Sequence, residues 1–94
     1  MKEGDTISKT KMIKFLTGKT QTMWNREEKC FKPIALTTRY DGGEARITML
    51  KTADPYQVIR AITDTQEIKL IYNVKKNEVT QGSILPVGWR DNLN

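Results

Sequence analysis

The chain has 94 residues, with 16 Lys plus Arg against 11 Asp plus Glu and a formal charge of +5. That length sets a single domain as the expectation. Its 37% hydrophobic content, about 43% with the 6 Gly included, falls just under the roughly 45–50% of ordinary globular chains. The chain has no His and one Cys, Cys30, which removes Ser-His-Asp and Cys-His nucleophile pairs, an imidazole base and any ligand cluster with zinc spacing.

A lone cysteine forms no internal disulfide, so a reducing cytoplasm is the expected setting. Cys30 is read as a buried small apolar residue. Met1 to Lys14 is basic and polar, without an apolar run of signal-peptide length, and no stretch approaches 18 apolar residues. Secretion and membrane spanning are therefore not expected. Charge is uneven along the chain: residues 1–32 carry 8 basic and 4 acidic side chains, and residues 33–94 carry 8 and 7.

In chain order, Ser8 reads as the N-cap of a helix ending near Thr17, with Met12, Phe15 and Leu16 on its apolar side and Gly18 as its stop. A second helix is expected from Lys19 or Thr20 to about Lys29. It would place Met23, Trp24, Cys30 and Phe31 on one side and Gln21, Thr22, Asn25, Arg26 and Lys29 on the other. Lys32-Pro33 closes it. Ile34 to Arg39 and Glu44 to Leu50 are strand-like, and Asp41-Gly42-Gly43 offers the positive φ of a tight hairpin between them. Asp54-Pro55 reads as N-cap and N1 of a short helix with Val58, Ile59 and Ile62 on its buried edge. Gln66 to Lys75 is a strand with Ile68, Leu70, Tyr72 and Val74 alternating on one face. Ile84 to Trp89 fits either an edge strand or an extended segment returning Trp89 to the core. The expected organisation is thus a helix-turn-helix over 8–33, a β-hairpin over 34–50, a short helix over 54–62, and one or two strands with a tail over 66–94.

Two suggestive strings carry no chemistry. Thr17-Gly18-Lys19-Thr20 resembles the end of a phosphate-binding loop, but the first glycine of that motif is replaced by Ile13. Glu27-Glu28 would diverge by about 100° on a helix and could not share a substrate. No catalytic residue, cofactor or metal is expected.

The helix, glycine, helix, hairpin order is more informative. A second helix presenting Gln21, Thr22, Asn25 and Arg26 carries the side chains that read adenine and guanine edges in a major groove. Lys11, Lys14, Lys19, Lys29, Lys32, Arg39 and Arg46 would contact phosphates, the last two from a wing. The run from Leu16 to Pro33 resembles the winged helix-turn-helix of phage excisionases and MerR-type regulators. The likeness lies in the Leu16-Thr17-Gly18 turn, Thr20 opening the second helix, Trp24 within it and Phe31-Lys32-Pro33 leaving it. It continues loosely through Asp41 to Ile47 as the wing and Asp54 to Ile62 as the following helix.

The resemblance covers residues 8–62. It implies a small architectural or regulatory protein of a phage or mobile element that binds duplex DNA as a dimer or cooperatively. The expected fold is accordingly α+β, a small winged helix-turn-helix-like domain with additional C-terminal strands. Two other readings stand beside it. One is a single-stranded nucleic-acid binder on a β-sheet, using Tyr40, Tyr56, Tyr72 and Trp89 with Arg39, Arg46, Lys69 and Lys75. The other is a small inhibitor or adaptor that binds a host protein.

Overall fold

The computed structural model describes residues 1–93. The chain order is β1 (Thr6–Ile7), α1 (Lys9–Leu16), β2 (Thr20–Asn25), β3 (Cys30–Ala35), α2 (Leu36–Arg39), β4 (Ala45–Ala53), β5 (Tyr56–Ile62), β6 (Gln66–Asn73), β7 (Glu78–Pro86) and a closing 3-10 turn (Trp89–Leu93). Strands β1-β4-β5-β6-β7 form one antiparallel sheet in that order, and β2 and β3 form a separate hairpin. The fold is mostly β, and the expected winged helix-turn-helix is absent.

The first helix forms as the sequence suggests. The Ser8 hydroxyl accepts from the Lys11 amide at 3.2 Å, and Gly18 takes φ +80°, which the residue without a Cβ adopts freely. Met12 and Leu16 are fully buried, and Phe15 packs on the core with its ring 6.0 Å from that of Tyr72. Lys11 and Lys14 face outward.

The second helix does not form. Thr20 to Asn25 and Cys30 to Ala35 pair antiparallel, from Thr20 opposite Ala35 to Asn25 opposite Cys30. Their period is two: Thr20, Thr22, Trp24, Phe31, Pro33 and Ala35 are exposed, while Gln21, Met23, Asn25, Cys30, Lys32 and Ile34 are half-buried. Threonine and aromatic side chains suit a pleated ribbon. The Asn25 carboxamide oxygen closes the turn by accepting from the Glu28 amide at 2.8 Å. Cys30, expected in the core, is only half-buried.

The wing is corrected as well. β3 and β4 belong to different sheets, because Leu36 to Arg39 makes one helical turn between them. Leu36 is fully buried and rests on β7 where Gly82 leaves room. A Cβ at Gly82 would lie 3.0 Å from Leu36 Cδ1 and 3.3 Å from Leu70 Cδ2. Asp41-Gly42-Gly43 therefore does not turn a hairpin. Instead the Asp41 carboxylate accepts from the Gly43 amide and from the hydroxyls of Thr63 and Thr65. Gln66 completes this latch, donating to the Arg39 carbonyl at 2.7 Å and accepting from the Asp41 amide at 2.9 Å.

Partial burial raises the Asp41 pKa, but the hydrogen bonds from Thr63, Thr65 and Gly43 together outweigh it and hold the carboxyl below its ordinary value. A carboxyl depressed in the folded state stabilises above its unfolded pKa, near 3.9, and that contribution is lost as pH falls through the folded value. Thermal unfolding followed from about pH 6 to pH 2 should therefore show a falling midpoint below about pH 4. Asp41→Asn keeps an acceptor but cannot titrate, so it should make that acid limb shallower. An unchanged limb would remove Asp41 from the acid transition.

Asp54-Pro55 is a cis peptide in the turn between β4 and β5 and starts no helix. The β-branched run after it continues as a strand in which Ile59 and Ala61 face the core, so Val58 and Ile62 do not share the face of Ile59. The β6 expectation holds from Gln66 to Asn73, with Ile68 and Leu70 buried and Tyr72 against the core. Val74 lies beyond the strand and is exposed. The region from Ile84 splits: β7 runs to Pro86, and the chain then turns over the other face of the sheet.

Candidate functional site

The sheet face opposite α1 is defined by strand alternation. Ile59, Ala61, Ile68, Leu70 and Ile84 point into the core, so their neighbours point out. Register aligns these outward residues in rows. Arg60 stands opposite Lys69, and Lys69 opposite Ser83. Ile62 stands opposite Glu67, and Glu67 opposite Leu85. Arg46 extends the second row from β4 beside Ile62. Lys51 lies opposite Val58 on the same face.

The 3-10 turn completes the site. The Val87 amide donates to the Thr65 carbonyl at 2.9 Å, and the Asp91 amide donates to the Gly88 carbonyl at 2.9 Å. Gly88 has φ +79°. This path brings Trp89 and Arg90 to the edge of a groove of about 530 Å³, lined by Thr48, Arg60, Ile62, Glu67, Lys69, Ser83, Leu85 and these two residues. The Arg90 guanidinium lies 4.8 Å from the Trp89 ring centroid and 3.6 Å from the Glu67 carboxylate. Trp89 is half-buried and lines the groove.

Arg60 and Lys69 have no ion-pair partner among the described residues. Like charges directly opposite on neighbouring strands are destabilising. Their placement on an open face, beside an indole and over an aliphatic floor of Ile62 and Leu85, fits an anionic ligand that also carries planar apolar groups.

The residues expected to read bases do not share a surface. Gln21 accepts from the Ile84 amide at 2.7 Å, Thr22 lies on the opposite hairpin face, Asn25 closes the turn and Arg26 sits within it. Among the expected phosphate contacts, Arg39 is held by the fold, its Nη2 donating to the Ile84 carbonyl at 2.9 Å. Gln21 and Arg39 thus satisfy the outer edge of β7 at Ile84, where an open strand would otherwise invite pairing. Lys32 pairs with Glu28, and Lys29 occupies the hairpin turn with φ +52°. Lys11, Lys14 and Lys19 come together around a second groove of about 650 Å³ bordered by Phe15 and Tyr72. Arg46 alone of that set lies on the outer sheet face.

Of the single-strand set, Trp89, Lys69 and Arg46 share the outer face. Tyr40 instead donates to the Gly43 carbonyl, and its pKa is raised by burial and then by the charges of Asp41 and Glu44. Tyr72 packs on the core and bonds Asn77, Tyr56 opens β5, and Lys75 lies past β6. Arg60 and Arg90 were missed. Reading Tyr56 to Ile62 as a strand would have put Arg60 opposite the core residues Ile59 and Ala61.

Among the described residues, no group of three or more His, Cys, Asp or Glu is placed to hold a metal ion, and no helix is long and apolar enough to cross a membrane. No protein-family model matches the chain, and neither a curated protein nor a solved structure matches it.

Proposed function

We propose that this protein is a binding module for single-stranded nucleic acid, with the strand lying across the outer face of the β-sheet. The observation that carries this reading is the unpaired Arg60 and Lys69 couple beside Trp89. Phosphates would neutralise the two cations, and an unstacked base would lie on the indole, an interaction tolerant of sequence because every base has a π-face. Arg46 and Lys51 extend the positive potential, and Arg90 offsets Glu67, the one carboxylate in the rows. The reading assigns no catalysis and supposes a reducing cytoplasmic setting. A duplex offers its bases only through grooves, and the helix expected to enter one is a hairpin here.

Fluorescence anisotropy tests the proposal, using a labelled single strand of about 30 nucleotides and the matching duplex from about 50 to 200 mM salt. The single strand should bind more tightly, with a negative slope of log K against log salt. Removing two phosphate contacts with the double variant Arg60→Gln/Lys69→Gln should flatten that slope by about 1.4, because each contact on a single strand contributes about 0.7. Duplex preference would move the interface to Lys11, Lys14 and Lys19. No binding to either probe at the lowest salt would leave a protein partner as the working idea.

A further inference from the structure

The β2–β3 hairpin is fixed to the body at its base, where Gln21 meets Ile84 and the Leu36 amide donates to the Lys19 carbonyl at 3.0 Å. Further out it presents a face that none of the described residues covers. Trp24 is 53% exposed and Phe31 69% exposed, and the two rings stack edge to face across the strands with centroids 5.1 Å apart. Thr22 and Pro33 continue this face toward the base. A cross-strand aromatic pair steadies the hairpin only modestly, and contiguous exposed apolar patches mark interaction surfaces.

We propose that this face is where a second copy of the chain docks, the two hairpins packing face to face about a two-fold axis so that each aromatic pair covers the other. Charge selects this occupant. Residues 20–35 carry Arg26, Lys29 and Lys32 against Glu27 and Glu28, a net of +1, which leaves +4 of the total +5 on the rest of the chain. Two copies of a basic protein repel least through this segment. At its tip Glu28 is held by Lys32 of its own chain and Glu27 stands between Arg26 and Lys29, so an isologous contact can set Glu27 of one copy against those bases of the other. With the two acids offsetting two of its three bases, the segment holds little attraction for a nucleic acid or an anionic membrane.

Pro33 favours the face over the free edge of β3. Proline offers no N–H to an added strand and is a residue that guards edges. The footprint is small: six-residue strands about 20 Å long and two strands wide cover about 200–400 Å² per copy. A standard interface uses roughly 800 Å² per partner, so the association should be weak, with a Kd between about 10 μM and 1 mM.

Sedimentation equilibrium from about 10 μM to 1 mM, a range matched to that affinity, tests the proposal without nucleic acid and so independently of the single-strand reading. The wild-type mass should rise from one chain toward two. Trp24→Ser/Phe31→Ser should stay at one chain, with a modest fall in its thermal midpoint from the lost cross-strand pair. Glu27→Lys, which reverses one tip charge per copy, should weaken the dimer several-fold. A wild type that stays monomeric throughout, or an aromatic double variant that dimerises equally well, overturns the proposal. So does a monomer whose aromatic double variant loses affinity only for an oligonucleotide, which would give the face to the nucleic acid.

Discussion

Leu36→Ala should destabilise the fold by about 2–5 kcal/mol, the range for emptying a fully buried leucine site that cannot collapse. The expectation rests on where Leu36 sits. It is 0% exposed although it belongs to a helix of only four residues, and it drops into the space that Gly82 leaves on β7 beside Leu70. The backbone around it is tied on both sides: the Leu36 amide donates to the Lys19 carbonyl and the Leu36 carbonyl accepts from the Tyr40 amide. Those bonds limit how far the helical turn can sink to fill a cavity. A domain of this size has about 5–15 kcal/mol in all, so the melting midpoint should fall by more than about 10 °C. Urea unfolding followed by circular dichroism gives the free energy directly. A loss under about 1 kcal/mol would mean that the site collapses and that Leu36 does not join the hairpin base to the sheet in the way described.

The elements legible in the sequence are those whose signals are local. Ser8, Gly18 and the Met12/Leu16 spacing define α1 without help from the rest of the chain. Ile68, Leu70 and Tyr72 define β6 because one face of that strand is buried against the core. The misread elements are those where two periods fit the same residues. Met23, Trp24 and Phe31 can be drawn on one side of a helical wheel, but in a ribbon Met23 turns inward while Trp24 and Phe31 meet across the strands. What decides is the pairing of Thr20–Asn25 with Cys30–Ala35, a contact that helical periodicity does not register.

Asp54-Pro55 shows the same ambiguity, since proline suits the first turn of a helix and equally a tight turn. Tertiary pairing resolved it: Tyr56–Ile62 lies between β4 and β6 and completes the ladders of both. Asp41-Gly42-Gly43 has the chemistry of a turn but is spent on the latch to Thr63 and Thr65. The candidate site was legible only in fragments. Lys69 and Trp89 could be named as single residues, but the Arg60–Lys69 couple depends on the register across the β5–β6 turn, and that register exists only once Tyr56–Ile62 is a strand. The uncovered face of the hairpin was invisible for the same reason, because on a helix its aromatics would have gone to the core.

Trp89→Ala should weaken single-strand binding by about 1–3 kcal/mol, or roughly 5- to 150-fold, the usual loss when a base-stacking aromatic is truncated. Trp89→Phe should recover most of it, because a smaller ring still offers a π-face. The salt dependence separates this residue from its neighbours. Indole carries no charge and releases no counterion, so the slope of log K against log salt should match the wild type in Trp89→Ala, whereas Arg60→Gln/Lys69→Gln should change the slope. Binding should also quench the fluorescence of Trp89, read cleanly in a Trp24→Phe background because the chain has two tryptophans. Trp89 is half-buried and Arg90 lies 4.8 Å above its ring, so some affinity could be lost through a displaced turn instead of a lost stack. The thermal midpoint and the Phe variant distinguish the two. A displaced turn would carry Arg90 with it and flatten the slope, whereas a lost stack leaves the slope intact and is rescued by Phe. Wild-type affinity and slope in Trp89→Ala would place the nucleic-acid path elsewhere on the sheet and remove the indole from the proposed interface.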